Sequence, residues 1–68
     1  MESDMKLNIR EKRREIGITQ AALAHAVGVT QGAVVQWENG SSFPKFVLIP
    51  KIAKALGCTV NDLIGKSA

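Results

Sequence analysis

Apolar residues along this chain recur at intervals of three and four, and no stretch alternates apolar with polar over a useful length. That pattern predicts helices and no sheet. From about Lys6 to Glu15 the residues are mostly good helix formers, with Ile9, Arg13 and Ile16 on one stripe and Gly17 as a stop. Thr19 is a good N-cap for a second helix, about Gln20 to Val27, in which Leu23, Ala24 and Val27 share a face. Gly28 breaks the pattern. Thr30 then caps a third helix, about Gln31 to Glu38, and Asn39-Gly40 is a strong stop and turn.

Residues 40–45 read as a loop. Proline is tolerated in a first helical turn but costs about 3 kcal/mol in a helix interior. Pro50 therefore places the start of a fourth regular helix close to Leu48, with Phe46 and Val47 as a looser lead-in and Leu56 at its end before Gly57. Thr59 caps a short fifth helix, about Val60 to Ile64, closed by Gly65. The expected fold is all-α: five short helices in one domain spanning 1–68, with 1–4 and 66–68 frayed.

The segment from Gln20 to Asn39 carries the most information. Two short helices are joined by a tight turn, Gly28-Val29-Thr30, and Ala24 is small enough to let them approach closely. Leu23, Val27, Val29, Val34 and Trp37 are spaced to turn inward. At about 100° per residue, with Gln31 as origin, Val34 falls at about 300° and Trp37 at about 240°, a narrow core-facing stripe. Gln31, Val35, Gly32 and Gln36 fall between about 0° and about 140°, an arc opposite that stripe. The arc carries no charge in a chain whose residues are 22% charged. Singly, each of these residues is ordinary surface. Together they suit base edges: glutamine pairs bidentately with adenine, an apolar group meets the thymine methyl, and glycine admits close approach.

Composition narrows the partners. Nine Lys and Arg stand against six Asp and Glu, a formal net charge of +3. Lys6, Arg10, Lys12, Arg13 and Arg14 cluster near the N-terminus with only Glu11 opposing them. Such a cluster fits an anionic partner and equally a solvated helix face. One cysteine, Cys58, excludes an internal disulfide, and one histidine, His25, leaves no zinc ligand set. Cys58 reads as a small buried hydrophobe and His25 as exposed. The core must come from packed aliphatics, and a chain this short buries only about 60% of its unfolded surface. No apolar leader or membrane span is expected, and a lone thiol suits a reducing compartment.

On these residues the chain resembles the Cro and repressor helix-turn-helix family of lambdoid phages, and in length a stand-alone Cro protein. The resemblance runs from Ile9 to Ile64 and is strongest over TQAALAHAVGVTQGAVVQWENG and PKIAKALGCTVNDLIG. It implies a compact five-helix, lambda-repressor-like domain whose second motif helix enters the major groove of double-stranded DNA. Gln31 and Gln36 match base-reading positions. Gly32 and Val35 stand where other members often place reading side chains, so the base preference is expected to be this protein's own. Gln20, Thr30, Asn39, Ser41 and Lys45 match positions expected at the DNA phosphates, joined by Arg10 and Arg13. The resemblance also implies an Arg13–Glu38 pair tying the first helix to the end of the third.

Taken together, these readings predict a transcriptional repressor acting on a palindromic operator as a homodimer, in the bacterial cytoplasm and on the nucleoid when bound. Phe43, Phe46, Val47, Val60 and Ile64 exceed the needs of a small core and are candidates for the dimer contact. An antitoxin or restriction-modification controller of the same fold is one alternative, and a protein-interaction module without DNA is another. An enzyme is not expected, because Ser41, Ser42, His25 and Cys58 assemble into no nucleophile–base pair. No cofactor, metal, membrane or small-molecule substrate is expected either. Trp37 reads as core rather than a stacking platform for single strands.

Overall fold

The computed structural model describes residues 7–64 and is all-helical over that range. Five helices follow in order: α1 (Ile9–Ile16), α2 (Gln20–Val27), α3 (Gln31–Asn39), α4 (Ile49–Ala55) and α5 (Val60–Ile64). A 3-10 turn, Phe46–Leu48, leads into α4. This is the loose lead-in that Pro50 requires, since the proline falls in the first turn of α4 where its missing N–H costs nothing.

Local chemistry sets most boundaries. The Thr19 hydroxyl accepts from the Ala22 N–H at 3.0 Å, and the Thr30 hydroxyl from the Ala33 N–H at 3.2 Å, a donor it shares with the Thr30 carbonyl at 3.1 Å. Thr59 and Asp62 form a reciprocal box: the Asp62 N–H donates to the Thr59 hydroxyl at 3.0 Å, and the Thr59 N–H to the Asp62 carboxylate at 3.3 Å. Between α2 and α3, Gly28 sits at φ 88°, a left-handed conformation that L side chains disfavour. Its N–H and that of Val29 both donate to the Ala24 carbonyl, which closes α2 and turns the chain into α3.

Three expectations are corrected. Helix α1 starts at Ile9, not near Lys6; Lys6 itself lies outside the described residues, as do the expected frayed ends and the Gly65 stop. Leu7 is buried in the core, the Asn8 N–H donates to the Leu63 carbonyl at 2.8 Å, and its side chain reaches the Asp62 carbonyl at 3.3 Å. The chain entering α1 is thus held against α5 before it can coil. Ile16, expected on the inward stripe, is 48% exposed, and Ile18 packs on the core there instead. Val60 is half-buried against the core, so it leaves the set of surplus surface apolar residues.

The core is a single cluster built from every helix. Ile9, Leu23, Val34, Ile52, Leu56 and Leu63 are its fully buried large side chains, joined by Val27, Trp37 and Ile49. Buried Ala24 and Ala53 keep neighbouring backbones close. Trp37 is core, as its angular position implied. Burying a Val, Leu or Ile side chain contributes about 1.5–3 kcal/mol. Val34 and Trp37 therefore lock the inner face of α3, and the orientation of its outer face follows from that.

Candidate nucleic-acid interface

With its inner face locked, α3 turns Gln31, Gly32, Val35 and Gln36 to solvent. All four are exposed, Val35 at 37%. A side chain at Gly32 would meet nothing nearer than the Thr30 hydroxyl at 3.8 Å, so the glycine is not required by packing. It leaves a gap in the exposed arc between Val35 and Gln36.

Behind the arc lies a polar hub. Glu38 is the one buried charged residue among the described residues. Its Oε2 accepts from Arg13 Nε at 2.7 Å; its Oε1 accepts from Arg13 Nη2 at 3.1 Å, Gln20 Nε2 at 3.1 Å and Arg10 Nε at 3.4 Å. Arg13 Nη1 donates to the Ile18 carbonyl at 3.0 Å. The two-point Arg13–Glu38 pair is therefore formed, and it ties α1 to α3 with Gln20 of α2 as a third arm. Burial pushes the Glu38 carboxyl up, but the hydrogen bonds from Arg13 and Gln20, the Arg13 charge and the Arg10 hydrogen bond outweigh it, so the group stays ionised below its ordinary range. The same hydrogen bonds to Glu38 raise Arg13 against the opposing effect of its burial.

The hub extends to the exposed arc. Gln31 Nε2 donates to Gln20 Oε1 at 3.4 Å, which brings the first residues of α2 and α3 together. Gln36 is met from the other side by the Ser42 hydroxyl at 3.4 Å. The Asn39 side chain accepts from the Ser41 N–H at 2.9 Å and folds the loop after α3 back on itself. Lys45 is exposed beyond that loop, and the Arg10 side chain is 46% exposed although it touches Glu38.

The structure thus brings Gln20, Gln31, Arg10 and Arg13 into one connected network and places Asn39, Ser41 and Gln36 around a second. Thr30 stands apart as the cap of α3, its oxygen already accepting from the backbone. Two links were not legible in the residue pattern. The joint role of Gln20, between Glu38 and Gln31, depends on three separate helices meeting. The approach of Ser42 to Gln36 depends on the loop folding back, for which the Asn39-Gly40 turn was the available signal. His25 is exposed and belongs to neither network, and Cys58 is half-buried against the core.

A tight two-helix motif with a locked inner face and a charge-free outer arc on its second helix defines a helix-turn-helix domain. Residues 9–63 match the helix-turn-helix family model, and the chain belongs to that family, as a transcriptional regulator of the repressor family. It is 45% identical over 53 residues to an uncharacterised HTH-type transcriptional regulator of Methanothermobacter thermautotrophicus, covering 78% of this chain and 77% of the relative. Repressor protein C2 of Salmonella phage P22 is 38% identical over 56 residues, which are 82% of this chain but 26% of that longer protein. The crystal structure of the P22 c2 repressor with a synthetic operator superposes with a TM-score of 0.80 at 35% identity, covering 88% of this chain and 91% of that one. The fold also recurs within an enzyme. Hydroxypropylphosphonic acid epoxidase from S. wedmorenis matches 88% of this chain with 32% of its own, at 28% identity and a TM-score of 0.78.

Proposed function

We propose that this protein is a sequence-specific repressor that binds double-stranded DNA with α3 in the major groove, in the manner of a Cro protein. The observation that carries this reading is the charge-free arc of Gln31, Gly32, Val35 and Gln36, exposed on the outer face of a helix whose inner face is locked. Those four residues read base edges, by hydrogen bonds from the glutamines and by apolar contact from Val35. Gln20, Thr30, Asn39, Ser41 and Lys45 hold the register on phosphates, with Arg10 beside them. Arg13 contributes mainly through Glu38, since Nε, Nη1 and Nη2 all have protein partners. The similarity to a repressor solved with its operator supports the same partner here.

The active form on DNA is a two-fold dimer on a palindromic operator with half-sites about 34–36 Å apart. The exposed Phe43, Phe46, Val47 and Ile64 are its candidate contact residues. The site of action is the cytoplasm; among the described residues no helix is long and apolar enough to cross a membrane. The whole chain, 1–68, acts as one DNA-binding domain with no catalytic activity of its own. Selection of bound duplexes from random DNA tests the reading. Recovery of a palindromic consensus is expected, and recovery of no preferred sequence at low and high salt alike counts against it.

A further inference from the structure

We infer that the Asn39–Gly40 pair at the end of α3 is a self-modification site: Asn39 loses its side-chain amide as ammonia and becomes an acid, and DNA binding falls without unfolding. The loss of binding rests on Asn39 standing at a DNA phosphate, as proposed above. Gly40 lies at φ 84°, a conformation that glycine adopts without strain and other residues do not, so the turn requires the glycine. A side chain there would meet nothing within 4 Å, and both residues are exposed, so no neighbour screens the peptide between them. Asn39 Oδ1 accepts from the Ser41 N–H at 2.9 Å, and the ring closed by that hydrogen bond contains the Gly40 nitrogen. The asparagine Cγ is thereby held beside the peptide that must attack it.

The Gly40 N–H itself donates to the Gln36 carbonyl, which also accepts from Ser41 at 2.9 Å and from Ser42 at 3.3 Å. A carbonyl oxygen has two lone pairs, so one of the three donors is surplus. The group also lies in the last turn of a helix, where hydrogen bonds open first. Gly40 is released there while Ser41 and Ser42 keep the carbonyl satisfied. Hydroxide takes the freed N–H proton, and the nitrogen attacks Asn39 Cγ. The charge passes to Oδ1, where the Ser41 N–H stabilises it. The Cγ–Nδ2 bond breaks, and the departing nitrogen takes a proton from water, which regenerates hydroxide. Ammonia leaves and a cyclic imide remains. Water opens the imide at either carbonyl, giving aspartate or isoaspartate, so water is consumed and ammonia released mole for mole. In the aspartate product the carboxylate still accepts from the Ser41 N–H, and the loop keeps its shape. It has lost the amide N–H donors that suit a phosphate and carries a like charge instead.

The test incubates the folded chain at mildly alkaline pH and follows peptide masses with time, with mobility shifts on a selected operator and on random duplexes in parallel. Asn8 and Asn61 are internal references, since Ile9 and Asp62 follow them and carry side chains that screen the attacking nitrogen. Conversion of amide to acid is expected at Asn39 and not at the references. Affinity is expected to decline with the converted fraction, and to hold steady in Asn39→Ser, which has no amide to lose. Asn39→Asp is expected to keep its helical content by circular dichroism and to weaken binding to both duplexes by about tenfold. If Asn39 survives in the folded chain and converts only in urea, Gly40 is not released and the modification site is overturned. If Asn39 converts but Asn39→Asp binds both duplexes like the intact chain, the phosphate contact falls and the loss of binding falls with it. The mass change is read without DNA, so it stands or falls apart from the proposed function.

Discussion

Gln31 and Lys45 are both exposed polar residues, yet the proposed function gives them opposite kinds of work. A base reader contributes only on the right sequence, and a phosphate contact contributes on all. Gln31→Ala is expected to lose about 1–3 kcal/mol on the preferred operator and little on random DNA. Lys45→Ala is expected to weaken both alike and to reduce the salt slope by about one unit. Titrating each variant with specific and random duplexes at several salt concentrations checks both; equal losses for Gln31→Ala would sink its assignment. Glu38 acts inside the fold. Removing its carboxylate as Glu38→Ala leaves the Arg13 guanidinium, whose side chain is 13% exposed, without its partner. Breaking a buried pair costs about 3–5 kcal/mol, so this variant is expected to be largely unfolded or to melt far lower by circular dichroism. The residue types of the arc and the Arg13–Glu38 pair were legible in sequence, one from helical spacing and the other through family resemblance. The Glu38–Gln20–Gln31 connection was not, because its members lie on three helices.

The helices are short, nine residues at most, so each depends on its ends. Thr30→Ala removes the side-chain cap of α3 and is expected to lower stability by about 1 kcal/mol, read from chemical denaturation. A drop of that size in stability with unchanged operator preference would assign Thr30 to capping; an additional uniform drop in DNA affinity is the signature of its phosphate contact. Caps and stops were legible because a threonine hydroxyl or a glycine at positive φ acts within three or four residues of itself. The start of α1 was not, because it is decided by Leu7 entering the core and by Asn8 bonding to α5, 54 positions away. Pro50 lies between these cases: its ring geometry alone placed the lead-in before α4.

For the molecule as a whole, two carboxyls link stability to pH. Glu38 is held below its ordinary pKa as described, and Asp62 by hydrogen bonds from the Thr59 backbone and side chain. Both bind protons more weakly folded than unfolded. Their stabilisation is therefore complete above their unfolded values, about 4.3 for the glutamate and about 3.9 for the aspartate, and is lost as pH falls through the lower folded values. Thermal midpoints are expected to hold from about pH 7 to about pH 5 and to drop below about pH 4. The surface makes a separate prediction. Phe46 is 86% exposed, so Phe46→Ser is expected to leave monomer stability within about 0.5 kcal/mol. The same change should weaken dimerisation and operator binding, measured by sedimentation and mobility shift. Unchanged self-association would remove Phe46 from the proposed dimer interface.

By itself the sequence determined the number and class of the helices, the tight turn before α3 and the charge-free composition of its outer arc. These follow from periodicity, capping and φ preferences, which act over one or two turns of chain. Only the tertiary structure decided that Ile16 and Val60 exchange their expected places, that α5 clasps the entry to α1, and that a buried carboxylate reaches the exposed arc of α3 through Gln20. Those outcomes require residues far apart in the chain to meet. Such meetings are set by how the helices pack, and no local pattern encodes them.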